Sequence, residues 1–328
     1  MSDKIKRRIS CSAGILMAMA AMTVTSCIDE DLSRCGQNYR IDYTVRLRTN
    51  IDTEISDELT TANEQAFGVV LRSALSNVFT DVAQNIDLSF YSDNSLAHHE
   101  TQQMDASTSS FTIYLPVQEY QHLALANTAV EPLVDISGAD SDLTLAMVQQ
   151  SGDTISSQSV GLFSARLPMA VEDRDQVFNV DLYMQNCAVA LVIDRDGQSP
   201  TAVWGYVRDL ATSFSVNDSI YSYENMPFVR ANLISDSNYY GLYAASFPSQ
   251  DETRASDDAA IWRFEVYITL NGSTTKSTLS VSEPLQAGDL KIIKARIADD
   301  GRIVTTASDV GVSVTLDWKE GGSHDIEV

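Results

Sequence analysis

Four histidines stand in the chain: His98, His99, His122 and His324. A zinc peptidase needs two of them one helical turn apart with a glutamate beside the first, and no His-Glu-x-x-His occurs. His98, His99 and Glu100 form a cluster of metal-ligand residue types, and their polar surroundings predict a solvated loop between strands. Ser273-Thr274-Thr275-Lys276 has the Ser-x-x-Lys spacing of an acylated serine and its lysine. That chemistry needs the serine at the start of a helix, and this one follows Asn271-Gly272, a hairpin turn. There is no Gly-x-Ser-x-Gly elbow and no glycine-rich phosphate loop with a lysine. Asp194-Arg195-Asp196-Gly197 and Asp299-Asp300-Gly301 offer the oxygen ligands that calcium favours. Neither runs on to the closing glutamate of an EF-hand, so both read as tight turns. Trp204, Trp262 and Trp318 could stack on sugars, and core packing is the expectation for each. These residue types predict no enzyme, no metal and no cofactor.

The chemistry that the sequence does carry lies at its start. Lys4, Lys6, Arg7 and Arg8 precede an uncharged run from Ile9 to Val24. A basic start and a short apolar run are the layout of a secretory signal, and the run is shorter than the about 20 residues that span a bilayer. It ends in Val24-Thr25-Ser26-Cys27, which has the pattern of a bacterial lipobox: a branched apolar residue, two small ones, then cysteine. Residues 1–26 are therefore expected to be a removed signal peptide. Cys27 would become the lipidated N-terminus, its acyl chains, palmitate among them, holding the protein to the outer membrane. Several chains hold firmly where one holds weakly. Asp29, Glu30 and Asp31 follow at once, within an acidic tether read as residues 27–38. Such a cluster is similar to the surface-export signal of lipoproteins in some Gram-negative anaerobes, and predicts an outward-facing protein. With Cys11 discarded and Cys27 acylated, Cys35 and Cys187 remain. In an exported protein two such thiols suggest a disulfide; the alternative is two separate thiols, one buried as a small hydrophobe.

Composition excludes other classes. The chain has 328 residues, 22 Lys and Arg against 45 Asp and Glu, and a net charge of -23. So acidic a surface repels phosphate backbones, and no nucleic acid is expected as partner. Removing the basic start leaves the mature chain three charges more negative, so attachment to anionic lipid must come from acyl chains. With 44% hydrophobic residues the chain can bury a core, and its length suits two domains.

The elements that must position any site read as short strands. Tyr39, Ile41, Tyr43, Val45 and Leu47 alternate with polar residues, the mark of a half-buried strand. Ala66 to Val82 instead carries apolar residues at three- and four-residue steps, which predicts one short helix. Further strands are expected at Ile86–Tyr91, Phe111–Leu115, His122–Ala126 and Phe178–Met184. Ala188 to Ile193 is apolar throughout, as in a central strand covered on both faces. The second half predicts strands at Val203–Leu210, Phe214–Val216, Tyr239–Phe247, Ile292–Ile297 and Val310–Trp318. Its best hairpin joins Phe264–Leu270 through Asn271-Gly272 to Thr274–Val281. Many short strands with polar turns point to antiparallel β-sandwiches. The turn at Gly197 to Pro200 divides them into domains 39–198 and 199–328.

Several stretches together resemble the fimbrillin-A-associated anchor proteins, minor fimbrial lipoproteins of Gram-negative gut and oral anaerobes. They are Cys27-Ile28-Asp29-Glu30-Asp31-Leu32-Ser33-Arg34-Cys35-Gly36, the strands and Asp-Asn turn from Ile86 to Leu115 with the strand at His122–Asn127, the strand pair Phe178–Gly197, and the ending Val310–Gly322 with Trp318. The resemblance implies an all-β protein of two transthyretin-like antiparallel β-sandwich domains, with the helix in the first. It implies a fimbrial anchor or minor subunit that joins a strand-exchanged polymer of fimbrial structural subunits to the outer membrane. The candidate exchanged strand carries Val310, Val312, Val314, Leu316 and Trp318. The alternatives are a surface glycan-binding lipoprotein of a nutrient-uptake system and a fimbrial tip adhesin.

Overall fold

Alternation becomes strand over most of the chain in the computed structural model, which describes residues 37–48, 52–80, 82–105, 109–131, 133–251, 260–305 and 312–317. The chain separates into two units, Met1–Asn38 and Tyr39–Val328, and the second carries the sheets. In order come β1 (Asn38–Arg48), α1 (Asp52–Glu58), α2 (Ala62–Leu75), β2 (Asn85–Ser92), β3 (Ser95–Gln103), β4 (Ser110–Pro116) and β5 (Gln118–Ala126). Next are β6 (Val134–Ser137), β7 (Met147–Gln150), β8 (Thr154–Ser156), β9 (Phe163–Val171), β10 (Gln176–Met184), β11 (Cys187–Asp194), β12 (Ala202–Arg208) and β13 (Ser213–Ser215). The rest are β14 (Ile220–Ser222), β15 (Phe228–Arg230), β16 (Asn232–Ser235), β17 (Tyr239–Ser246), β18 (Trp262–Leu270), β19 (Ser273–Val281), β20 (Leu290–Ile297), β21 (Ile303–Thr305) and β22 (Val312–Asp317).

The fold is all-β, a set of packed β-sheets with little helix. Its first sheet runs β3-β2-β5-β9-β10-β1-β4, its middle sheet β16-β17-β11-β20-β21, its outer sheet β22-β19-β18-β12-β15-β8, and a small sheet β14-β13-β7-β6. Strand β11 explains the layering. Ala188, Ala190 and Val192 point to a core shared with the first sheet and α2. Cys187, Val189, Leu191 and Ile193 point the other way, to a core shared with the outer sheet. The period of two thus sends one apolar strand into two cores, as its unbroken apolar run predicted. A third core lies between the first sheet and the small one, around Tyr91, Leu125, Val148, Phe214 and Phe247. Three of the four sheets combine strands from both sides of position 198.

Several expectations change. Two helices, α1 and α2, replace the single one among the described residues, and α2 starts before Ala66. A capping box sets that start: Thr61 accepts from the Glu64 N–H while the Glu64 side chain accepts from the Thr61 N–H. The helix stops at Leu75, but the following turn keeps Val78 and Phe79 buried, so the apolar spacing outlasts the helix. The sandwiches are not purely antiparallel either. β1 pairs parallel with β10, β11 with β20, and β15 with β8. Hairpin turns dictate antiparallel neighbours, but these partners are remote in sequence, and long connections leave direction to packing. His98 and His99 lie on strand β3, not in a loop, and register sends them to opposite faces, against Phe90 and Ser89.

Strand β9 escaped the sequence reading because Pro168 interrupts it. Its ladder with β10 has only two rungs, Tyr183↔Ser164 and Met184↔Phe163. Pro168 stands beyond them, paired to Gln121 of β5 on one side, where a missing N–H is tolerated.

Candidate functional site

The C-terminal strand is the element whose chemistry faces outward as backbone. β22 reads Val-Ser-Val-Thr-Leu-Asp, and its alternation turns Val312 and Val314 onto the second core while Ser313 is exposed. It runs antiparallel to β19, from Val281↔Val312 to Lys276↔Asp317. It ends the outer sheet, so among the described residues it has no strand on its other side. An edge of this kind presents backbone donors and acceptors to any extended chain that arrives. Two other sheet ends are less suited. β3 carries His98, His99 and Glu100, and β8 has three residues. Beside β22 lie Leu279 and Val281, both fully buried, so the strand helps to cover apolar side chains as well as extending a ladder.

The residues singled out in the sequence fall unevenly. Cys27, Asp29, Glu30, Asp31 and Cys35 lie outside the described residues, as do Val310 and Trp318. Leu316 is a strand residue opposite Ser277. Cys187 is wholly buried, and its thiol donates to the Ser246 carbonyl at 3.5 Å. Burial pushes that thiol well above the ordinary range. Among the described residues it has no disulfide partner.

Two sets of buried polar groups are paired internally. The Tyr43 hydroxyl and His122 Nε2 are 2.6 Å apart, and His122 Nδ1 is 3.0 Å from the Ser89 carbonyl. A carbonyl only accepts, so Nδ1 carries the proton and Nε2 accepts from the tyrosine: the imidazole is neutral. Phe90 stacks on it at 4.2 Å. Desolvation lowers its pKa to about 4, against the raising effect of Ser89. Gln150, Gln158, Asn186 and Ser246 form a second network where the middle and small sheets meet. The side chains of both networks are buried. A surface hollow of about 790 Å³ exists near Tyr91, Glu119 and Tyr120, but both tyrosines are buried and offer it no ring face. The described residues contain no group of three or more His, Cys, Asp or Glu placed to hold a metal.

The outer face of the outer sheet was missed. Trp262 is in the core as expected, its Nε1 donating to the Glu283 carbonyl at 2.9 Å. Trp204 is not. It is half-buried on the outward side of β12 and stacks on Tyr267 of β18, with centroids 5.2 Å apart and planes within 5°. Register makes this a cross-strand pair, and the row continues to Lys276 of β19. The next row is Arg230, Tyr206, Glu265 and Thr278; the third is Phe228, Arg208, Arg263 and Ser280. Tyr206 meets Tyr267 edge-on, and Arg208 lies 4.3 Å over Phe228. Glu265 sits beneath, paired to Arg208 at 2.8 Å and Lys276 at 3.2 Å. Burial pushes its carboxyl up, but these two cations outweigh burial and hold it below the ordinary range. The signal was present in Val203-Trp204-Gly205-Tyr206-Val207-Arg208: if the small apolar residues face in, two aromatics and an arginine face out.

Comparison with known proteins adds a family and a fold. The family model for fimbrillin-A associated anchor proteins Mfa1 and Mfa2 matches residues 42–321. No curated protein matches the sequence. Among solved structures, an adhesin candidate from Bacteroides ovatus is similar at a TM-score of 0.52 and 9% identity, covering 90% of this chain and 98% of its own. A candidate polysaccharide-binding protein from Bacteroides thetaiotaomicron is similar at 0.51 and 10%, covering 84% and 97%. The fimbrial anchor protein Mfa2 from Porphyromonas gingivalis is similar at 0.48 and 10%, covering 85% and 98%.

Proposed function

This chain belongs to the fimbrillin-A associated anchor protein family, and from that premise we propose that it is a lipid-held surface protein that joins a fimbrial polymer to the outer membrane. The family makes it a fimbria-associated protein of the cell surface or envelope, not a member of a known enzyme family. In our reading Cys27 carries the acyl chains, and Asp29, Glu30 and Asp31 direct the protein outward. The rest of the chain meets fimbrial structural subunits by strand exchange. The observation that carries this reading is β22: an alternating apolar strand at a sheet edge, held by one neighbour, over a core that needs a strand there. A subunit strand adding to that edge, or replacing β22, would gain main-chain hydrogen bonds and place alternate side chains in the same core.

Two measurements test it. Cys27→Ala should shift the protein from the outer-membrane fraction to the soluble fraction; retention in the membrane would end the lipid-anchor reading. Capture of the intact surface complex should bring down a polymerising fimbrial subunit, and a glycan transporter in its place would overturn the fimbrial reading.

A further inference from the structure

We infer that Thr278 is the residue by which the edge of the outer sheet selects its incoming strand, and that this strand takes the place of β22 instead of lying beyond it. The inference rests on the strand-exchange reading above and deepens it. A resident and an arriving strand offer β19 the same main chain, so ladder hydrogen bonds favour neither. Side chains along β19 must decide between them. The apolar positions decide little. Leu279 and Val281 are fully buried opposite Val314 and Val312, and any strand with small apolar residues at alternate positions covers them. Two polar positions are already engaged. The Ser277 hydroxyl accepts from the Ile303 N–H at 3.1 Å, and Lys276 is paired to Glu265 at 3.2 Å.

Thr278 differs. It is 9% exposed, and its Oγ1 is buried with no hydrogen-bond partner among the described residues. Register sets it opposite Thr315, inside the six-rung ladder with β22. A buried hydroxyl left unpaired costs free energy that the resident strand does not recover. Glu265, across from Thr278 on β18, has its carboxylate on Arg208 and Lys276. The valines of β22 that reach the second core, Val312 and Val314, are only half-buried. The resident strand thus covers its site incompletely, in hydrogen bonding and in packing, and a looser resident lowers the cost of exchange. The chemistry of a better strand follows. It is extended, apolar at the two positions facing Leu279 and Val281, and carries a hydrogen-bond acceptor, such as the amide oxygen of asparagine, opposite Thr278. Cβ atoms directly opposite one another lie about 4.5–5.5 Å apart, a gap that a hydroxyl and an amide span with one hydrogen bond. A strand that adds beyond β22 meets the far edge of β22 and does not reach Thr278, so this hydroxyl separates replacement from addition.

The test titrates the full mature chain with two labelled nine-residue peptides, one with the sequence of Val310–Trp318 and one carrying Thr315→Asn in that sequence. The asparagine peptide should bind about tenfold more tightly, as one net hydrogen bond gives. Thr278→Val keeps the shape and removes the hydroxyl. It should erase that preference while thermal melting stays unchanged or rises. Ser280→Cys with Ser313→Cys, a facing pair in register, should pin β22 when oxidised and abolish binding of both peptides, and reduction should restore it. Equal binding of the two peptides, a preference that survives Thr278→Val, or binding to the pinned chain would overturn the inference and leave strand exchange standing. Absence of binding by either peptide to the parent chain would overturn both.

Discussion

Strand β11 has a hydrogen-bonded neighbour on each side and a packed layer on each face; among the described residues β22 has one neighbour, with Val312 and Val314 packed on one core. Both are apolar in sequence. β11 pairs with β17 over eight rungs and with β20 over seven, and seven of its residues are buried. Among the described residues β22 pairs with β19 alone, over six. The contrast separates two jobs. The centre keeps the layers together, and the edge can open alone, since breaking one short ladder costs far less than opening two cores.

The sharpest way to break this contrast is at its stable end. Leu191→Ala leaves a cavity in the second core at a fully buried position and should destabilise the protein by about 2–5 kcal/mol in urea unfolding. A loss under about 1 kcal/mol would mean that the centre is no more demanding than the edge.

A second buried centre can be probed by pH. His122 is neutral when folded, with a pKa of about 4 against an ordinary value of 6.5. Between those values the unfolded chain takes up the proton that the folded chain refuses. The stability tied to His122 is thus complete above pH 6.5 and is lost as pH falls towards about 4, about 3 kcal/mol in all. His122→Asn should flatten that part of the stability profile measured by chemical denaturation; an identical slope would mean that other groups set it.

The edge should respond least in stability. Val314→Ala removes methyl groups from a half-buried position, for a loss of about 1 kcal/mol. In hydrogen exchange, β22 amides should exchange sooner than those of β11, by opening without global unfolding. Equal protection in the two strands would show that β22 is not a separable edge.

The sequence showed more of the centre than of the edge. Ala188–Ile193 announced a strand covered on both faces because no polar residue interrupts it, and Asn271-Gly272 announced its hairpin because both residues adopt positive φ, 52° and 82°. The helix was visible but shifted, since apolar spacing continues past Leu75 into a turn. β9 was hidden by Pro168, whose acceptability depends on β10 diverging from it. Trp204 was assigned to the core because a large apolar ring is usually buried, and only register shows that it faces out with Tyr267.

By itself, then, the sequence determined the strand-rich class, the acidic charge, the lipobox pattern at Cys27 and the resemblance to fimbrial anchors. Each depends on residues near one another along the chain, where alternation and motif spacing act directly. Tertiary structure decided which strands pair, that β1 and β10 or β11 and β20 run parallel, that β22 lies at an edge, and that Trp204, Tyr267, Arg208 and Glu265 form one surface. Those arrangements join residues far apart in sequence, and the burial of shared cores, not local propensity, selects among them.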